Sequence, residues 1–342
     1  MLSNIRPLSA VTGCLYVPGG SRAGLPSPRV QKSTPRLIAL VACPKPFLVH
    51  HAMQIQTDRS CSESRMPEID LKRALNAVSD VIRNRPRPIR QFDQIYMKAG
   101  DMVMQSEFVA RWADGKRLVF IGDGDAISVS VAYMYSRGVL SYGPSKTIVL
   151  DFDERIVNAI KRFADKERIE NLDARLYNVL DSIPDGLPDF DCFYTNPPWG
   201  QYNSGESINL FVDRGVEAIS NRGEGLVVIA DDSDLDWPQE VLAEVQQHAS
   251  RRGFFVARMQ PELHVYHLDD APDLKSCNLL FRSRPRNSTE RDSRPVTDPQ
   301  RLENFYGRAK VPRVRYVREL KALNYGEAQE SEYKLELLEG KE

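Results

Sequence analysis

Between residues 117 and 282 short apolar, β-rich runs alternate with stretches of helical period, and this alternation leaves few folds open. Arg117 to Ile121, Thr147 to Leu150, Ala174 to Tyr177, Asp191 to Tyr194 and Gly225 to Ala230 read as strands. Helices fit at Ala126 to Arg137, Glu154 to Asp165, Ser207 to Ile219 and Pro238 to Arg251. Strands apolar on both faces and separated by helices build a doubly wound, mostly parallel sheet. Two more strands, Phe254 to Met259 and Cys277 to Arg282, follow without a comparable helix between them. They predict an antiparallel pair closing the sheet, so the expected class is α/β.

Upstream, Leu71, Ala74, Leu75, Val78 and Ile82 recur at helical spacing and predict a helix from Ile69 to Arg83, stopped by Arg85-Pro86-Arg87-Pro88. A second short helix is expected over Met102 to Trp112. The chain therefore divides into residues 1–65, 66–115, 116–283 and 284–342. The first stretch holds no acidic residue before Asp58 and is broken by prolines. It is expected to be a disordered or non-native extension, with Met53 or Met66 as the working start, although a transit peptide has a similar composition. The second is a short helical segment and the third a Rossmann-like catalytic domain. The last is a polar, Arg-rich, partly helical extension, with a helix expected from Val317 to Leu338.

The formal charge of -1 over 342 residues divides unevenly, with +6 over residues 1–65 and -7 over the rest. An acidic folded part suits a cationic ligand and disfavours a nucleic-acid backbone. The five cysteines (Cys14, Cys43, Cys61, Cys192, Cys277) show neither CxxC spacing nor a nearby His cluster. Free thiols in a reducing cytoplasm, and no metal, are expected. Cys192 and Cys277 sit in apolar runs and read as core. No apolar run approaches the roughly 18 residues of a spanning helix, so no membrane association is expected.

The chemistry gathers at strand ends, where ligands of open α/β sheets bind. Gly122-Asp123-Gly124-Asp125 follows the first strand, and its two carboxylates repel phosphate but welcome a sulfonium or an amine. Asp151, ending the second strand, is placed for both ribose hydroxyls; Asp153 either joins it or caps the next helix. Asn178, after the third strand, offers a side-chain oxygen to an adenine amino group. After the fourth strand, Asn196 and the Pro197 carbonyl offer acceptors to an amine gaining positive charge. Trp199 adds an aromatic face, and Pro197 and Pro198 stiffen the backbone. Asp231, Asp232, Asp234 and Asp236 follow the fifth strand. His264, Tyr266, His267, Asp269 and Asp270 lie between the last two strands and extend the acidic and aromatic surround. This order of strands and motifs is the arrangement of class I methyltransferases and their aminopropyltransferase relatives.

Together, Gln91-Phe92-Asp93-Gln94, Gly122-Asp123-Gly124-Asp125, Leu150-Asp151-Phe152-Asp153-Glu154-Arg155 and Asn196-Pro197-Pro198-Trp199 resemble the branched-chain polyamine synthases over roughly residues 85 to 283. The resemblance implies aminopropyl transfer from decarboxylated S-adenosylmethionine to the secondary amine of spermidine, with methylthioadenosine leaving. Carried over, the family's Gly-Asp-Asp-Asp motif falls on Gly122 to Asp125 and its Asp-Pro-Pro motif on Asn196 to Pro198. With the strand-end reading, Asp123, Asp125, Asn196, Pro197 and Trp199 are the expected catalytic residues, and Gly122, Gly124, Asp151, Asp153 and Asn178 are expected on the donor. Asp93, Gln94, Asp231, Asp232 and Tyr266 would hold the polyamine; a homodimer is compatible. Two positions depart from the family pattern: Gly124 stands where its Gly-Asp-Asp-Asp motif has an Asp, and Asn196 where its Asp-Pro-Pro motif has one. Asn-Pro-Pro-Trp is closer to the S-adenosylmethionine-dependent methyltransferases of adenine and glutamine amino groups. Amino-methyl transfer is therefore the alternative, and a non-catalytic polyamine or nucleoside sensor a further one.

Overall fold

The computed structural model describes residues 69–268, 271–287, 292–307, 313–322 and 328–338. Residues 1–65 with their expected extension, Cys14, Cys43, Cys61, Asp269 and Asp270 lie outside the described residues. Two helices come first among the described residues, α1 (Leu71–Asn84) and α2 (Ala99–Trp112). The alternating region follows as β1 (Arg117–Ile121), α3 (Ile127–Ser136), β2 (Lys146–Asp151), α4 (Glu154–Glu167) and β3 (Leu172–Leu176). It continues as β4 (Cys192–Thr195), α5 (Glu206–Ala218), β5 (Glu224–Ala230), α6 (Asp236–Arg251), β6 (Phe254–Val265) and β7 (Lys275–Ser283).

The seven strands form one sheet in the order β3-β2-β1-β4-β5-β7-β6. The first five are parallel; β7 runs antiparallel to β5, and β6 antiparallel to β7. This is the methyltransferase-like Rossmann arrangement that the pattern of runs predicts. Alternation along each strand feeds two cores. Leu118 and Phe120 of β1 pack on one side with Val149, Cys192 and Tyr194, and Val119 and Ile121 on the other with Ile148, Leu150 and Phe193. Each such side chain contributes about 1.5–3 kcal/mol by leaving water. Cys192 and Cys277 are buried and unbridged.

The register of β4 depends on one close approach. The Phe193 ring is wholly buried, and a Cβ at Gly215 or Gly225 would come within 2.3 or 2.2 Å of it. Only glycine on α5 and on β5 leaves room for that ring.

Two expectations change. The α1 helix forms where its period predicts, but it buries Ala74, Ala77, Val78 and Val81 while Leu71 and Leu75 stay 56% and 42% exposed. The face against α2 and α3 is thus the small-residue face, which lets the helices come close. The helix expected over Val317 to Leu338 is absent. After a single turn, α7 (Pro299–Leu302), the chain forms β8 (Val314–Glu319) and β9 (Tyr333–Leu337), an antiparallel pair. In β8 the charged residues are Arg315, Arg318 and Glu319, and Val314 and Val317, three apart, are both buried, a spacing that also fits a helix. A register irregularity between Val314 and Tyr316 lets both valines face inward from a strand.

The pair is anchored to the main body. Val317 N donates to Phe152 O at 3.1 Å, Arg162 reaches Glu319 at 2.9 Å, and buried Arg87 pairs with buried Glu332 at 3.0 Å. In its described residues the polar extension is therefore a packed part of the molecule.

Candidate functional site

The carboxyl ends of β1, β2 and β4 open into a cleft with about 820 Å³ of empty space, counted with the solvent at its mouth. Gly122 takes a left-handed φ of 75°, which turns the chain out of β1. Asp123 then faces inward. Its carboxylate accepts from Ile127 N at 2.9 Å, Ser128 N at 3.2 Å and the Ser128 hydroxyl, which secures the start of α3. Burial raises its pKa well above the usual carboxylate range. The carboxylate lines the cleft and at the same time holds the helix start.

Asp125 is placed differently. Oδ1 accepts from Met97 N at 2.6 Å and Oδ2 from Asn196 Nδ2 at 2.6 Å. Burial raises its pKa, and the Met97 N–H and the Arg85 guanidinium oppose that rise. Arg85 is itself buried, donates to Asp125 O at 3.1 Å and sits 4.1 Å from the centroid of the Tyr96 ring. Because Asn196 spends its amide nitrogen on Asp125, with Tyr266 Oη 3.5 Å away, its oxygen is the end left to accept from a ligand. Pro197, Pro198 and Trp199 continue the wall, and Trp199 meets Tyr266 edge-on at 5.3 Å.

Asp151 ends β2 with Oδ2 accepting from Asp123 N at 3.0 Å and Oδ1 from Asp153 N at 2.9 Å. Burial, reinforced by Asp153, pushes its carboxyl up to about 7. An inward carboxylate at this strand end suits vicinal ribose hydroxyls. Asp153 is not part of the cleft wall. It caps α4 through Arg155 N at 3.0 Å, pairs with the Arg155 guanidinium at 2.6 Å and accepts from Gln94 at 3.0 Å. Of the two readings open for it, the structure takes the helix cap.

Other expected contacts are spent on the fold. Asn178 lines the cleft, but its nitrogen donates to Arg315 O at 2.6 Å and its oxygen accepts from Leu180 N at 2.9 Å. Its amide thus ties the end of β3 to β8 at the cleft wall. Gln94 lines the cleft with both ends engaged, by Ile89 N and Asp153, and Asp93 lines it from a left-handed turn with φ of 57°. Asp231 and Asp232 are not brought in: they accept from Glu262 N and Asp234 N outside the cleft. His264 is buried among side chains, and burial pushes its pKa down to about 4. The His267 side chain is exposed.

The structure adds an aromatic wall. Phe92, Phe152 and Tyr306 meet pairwise at 5.4, 5.2 and 5.7 Å, with Phe152 and Tyr306 stacked at 17°. All three line the cleft, next to Asp151. Phe92 and Phe152 stand inside motifs that the sequence reading singled out. Tyr306 belongs to Phe305-Tyr306, an apolar pair within the polar tail, and that contrast was the available signal. Among the described residues no cluster of three metal-ligating side chains occurs, and no helix is long and apolar enough to cross a membrane.

Comparison with known proteins gives three results. The family model for the branched-chain polyamine synthase A C-terminal domain matches residues 73–341. N(4)-bis(aminopropyl)spermidine synthase of Thermococcus kodakarensis is 32% identical over 174 residues, which cover 49% of this chain and 46% of that protein. Its counterpart in Thermus thermophilus is 26% identical over 187 residues, covering 54% and 50%. The matches thus span about half the length of these curated relatives. Among solved structures, the branched-chain polyamine synthase of Thermus thermophilus, in complex with N4-aminopropylspermidine and 5′-methylthioadenosine, superposes with a TM-score of 0.57. It is 21% identical and covers 70% of each chain, a likeness of fold.

Proposed function

The chain belongs to the branched-chain polyamine synthase family through its C-terminal domain, and on that premise we propose aminopropyl transfer from decarboxylated S-adenosylmethionine to an amine of a spermidine-like polyamine. The products are a branched polyamine and 5′-methylthioadenosine. The observation that carries this reading is the Asp125–Asn196 hydrogen bond, which turns the Asn196 amide oxygen toward an acidic and aromatic cleft.

Such a site recognises an amine by its N–H groups and stabilises the positive charge that grows on nitrogen during alkyl transfer. Asp151 would take the ribose hydroxyls of the donor, and Phe92, Phe152 and Tyr306 its flat base. When bound, the donor supplies a carbon made electrophilic by the adjacent sulfonium. Asn196 and the Pro197 carbonyl aim the nucleophile, while buried Asp125, held by Met97 N and faced by Arg85, keeps the amide from turning over. The relatives are named for this reaction and the superposed structure holds both products, which supports the assignment.

A second reading, amino-methyl transfer from S-adenosylmethionine, draws on Asn196-Pro197-Pro198-Trp199 itself, because the same turned amide would seat an exocyclic amino group. Incubation with each sulfonium donor plus spermidine, followed by mass spectrometry, decides between them. Methylthioadenosine and a polyamine heavier by one aminopropyl group are expected. S-adenosylhomocysteine and a methylated product would establish the second reading, and a donor bound without turnover would indicate a sensor.

A further inference from the structure

Behind the acceptor amide runs a chain of buried polar groups that the reaction as outlined does not use. Tyr266 Oη lies 2.8 Å from Ser276 Oγ, Ser276 Oγ 2.9 Å from His264 Nδ1, and His264 Nε2 2.9 Å from Gln105 Oε1. Gln105 and Asn278 end the chain by exchanging two amide hydrogen bonds, at 2.9 and 2.8 Å. All five side chains are buried. They come from α2, β7 and the end of β6, so the chain crosses the closing edge of the sheet and reaches the cleft at Tyr266.

With the Gln105 amide oriented as it stands, Oε1 toward His264 and Nε2 toward Asn278 Oδ1, every hydrogen along the chain has one direction. Gln105 Oε1 carries only lone pairs, so His264 Nε2 must hold a hydrogen to meet it. The imidazole is neutral in so buried a place, with its pKa pushed down to about 4. Nδ1 is therefore bare and accepts from the Ser276 hydroxyl. Ser276 has then used its one hydrogen, so it accepts from Tyr266. The Tyr266 hydrogen points away from the cleft, and the Oη lone pairs face Asn196 and the ligand space.

We propose that His264, acting through Ser276, is a positioning residue that holds the Tyr266 hydrogen out of the cleft, so that Tyr266 Oη and Asn196 Oδ1 form a two-acceptor seat for an amine. Two acceptors match the two hydrogens of a secondary ammonium on arrival; one then leaves as a proton to solvent, and the lone pair it frees attacks the donor carbon as the carbon–sulfur bond breaks. Were the hydroxyl reversed, its hydrogen would occupy the nitrogen lone pair that must attack the donor carbon. The identity of the amine rests on the aminopropyl-transfer reading above; the hydrogen direction does not.

Two measurements test the proposal on the full chain. In protein labelled with 15N-histidine, long-range proton–nitrogen correlation reads the ring tautomer of His264, assigned by its absence from His264→Phe. The expected form is Nε2–H with a bare Nδ1; Nδ1–H reverses the chain of bonds and overturns the proposal. The second is a cycle of Ser276→Ala, Tyr266→Phe and the double variant, with kcat and the KM for spermidine measured for each. In Ser276→Ala the released hydroxyl turns into the cleft, and kcat falls about tenfold below that of Tyr266→Phe, which lacks the hydroxyl altogether. The double variant returns to the Tyr266→Phe level, an outcome that mere loss of packing does not give. A Ser276→Ala enzyme no slower than Tyr266→Phe overturns the proposal. Should wild type transfer no aminopropyl group, the functional reading falls, and the tautomer still decides the direction of the chain.

Discussion

Asp125 Oδ2 accepts a 2.6 Å hydrogen bond from Asn196 Nδ2, 71 residues further along, and so ties the loop after β1 to the loop after β4. The two motifs most prominent in the sequence are thereby one device. Asp125→Asn sets a donor against a donor or against Met97 N, and the Asn196 amide turns its nitrogen to the cleft to escape. We expect kcat/KM for the amine to fall about a hundredfold. Affinity for methylthioadenosine, measured by calorimetry, stays within about threefold. Equal losses of both would mean that the pair supports the whole cleft and not the amine seat.

The raised carboxyl of Asp151 gives ligand binding a pH dependence. Its pKa of about 7 arises from burial, with Asp153 adding to it. Ribose hydroxyls need lone pairs, so the charged form binds better. Nucleoside affinity is expected to level off above pH 8 and to fall below 7, approaching tenfold per unit. The unliganded fold runs the other way. It holds this proton more tightly than the unfolded chain, whose carboxyl keeps its ordinary 3.8, so this contribution to stability fades as pH rises from about 4 to 7. Calorimetry with methylthioadenosine from pH 5.5 to 8.5 checks the first part, and an affinity flat across that range removes Asp151 from the ribose site.

Tyr306 completes the aromatic wall, stacked on Phe152 and edge-on to Phe92. Tyr306→Ala should weaken nucleoside binding by at least about tenfold and cost about 3 kcal/mol of stability. Tyr306→Phe keeps the ring and should leave both nearly unchanged. Fluorescence titration and urea unfolding read the two quantities separately. A binding loss in Tyr306→Phe as large as in the alanine variant would shift the role from the ring to the hydroxyl.

Gly225→Ala directs a Cβ into the Phe193 ring at 2.2 Å. Neither β5 nor the buried ring can yield cheaply, so a loss of about 2–3 kcal/mol is expected in urea unfolding. Because Phe193 stands three residues before Asn196 on β4, catalysis should fall as well. Pairing the change with Phe193→Leu should restore much of the stability. No recovery in the double variant would place the strain elsewhere on β5.

The strand-and-helix core was legible because burial on both faces leaves an unmistakable run of apolar residues, and β1 begins and ends where that run does. The strand-end motifs were legible for a related reason: topology alone puts Gly122 to Asp125, Asp151 and Asn196 to Trp199 on one edge. What each carboxylate does there was not. Asp123, Asp125 and Asp153 look alike in sequence, and only the backbone N–H groups around them show that two serve helix starts and one serves Asn196. The acidic run from Asp231 to Asp236 suggested proximity from charge, which carries no direction. The tail was misread because the two valines of β8 stand three apart, as on a helix, and the alternation of charged and apolar residues in β9 covers only five residues. Its partners, Phe152 and Glu154, lie more than 150 residues upstream.

Tyr306 and β8 follow every strand of the large sheet in chain order, yet they complete the wall beside Asp151. The timing of synthesis therefore separates scaffold from ligand site: a ribosome has delivered all seven strands before the residue that closes the aromatic wall emerges. A protease that clips the chain between β7 and Phe305 would leave the sheet with its full set of strands, while freeing Tyr306 to leave the wall and Phe305, Val314 and Val317 to leave the core beneath it.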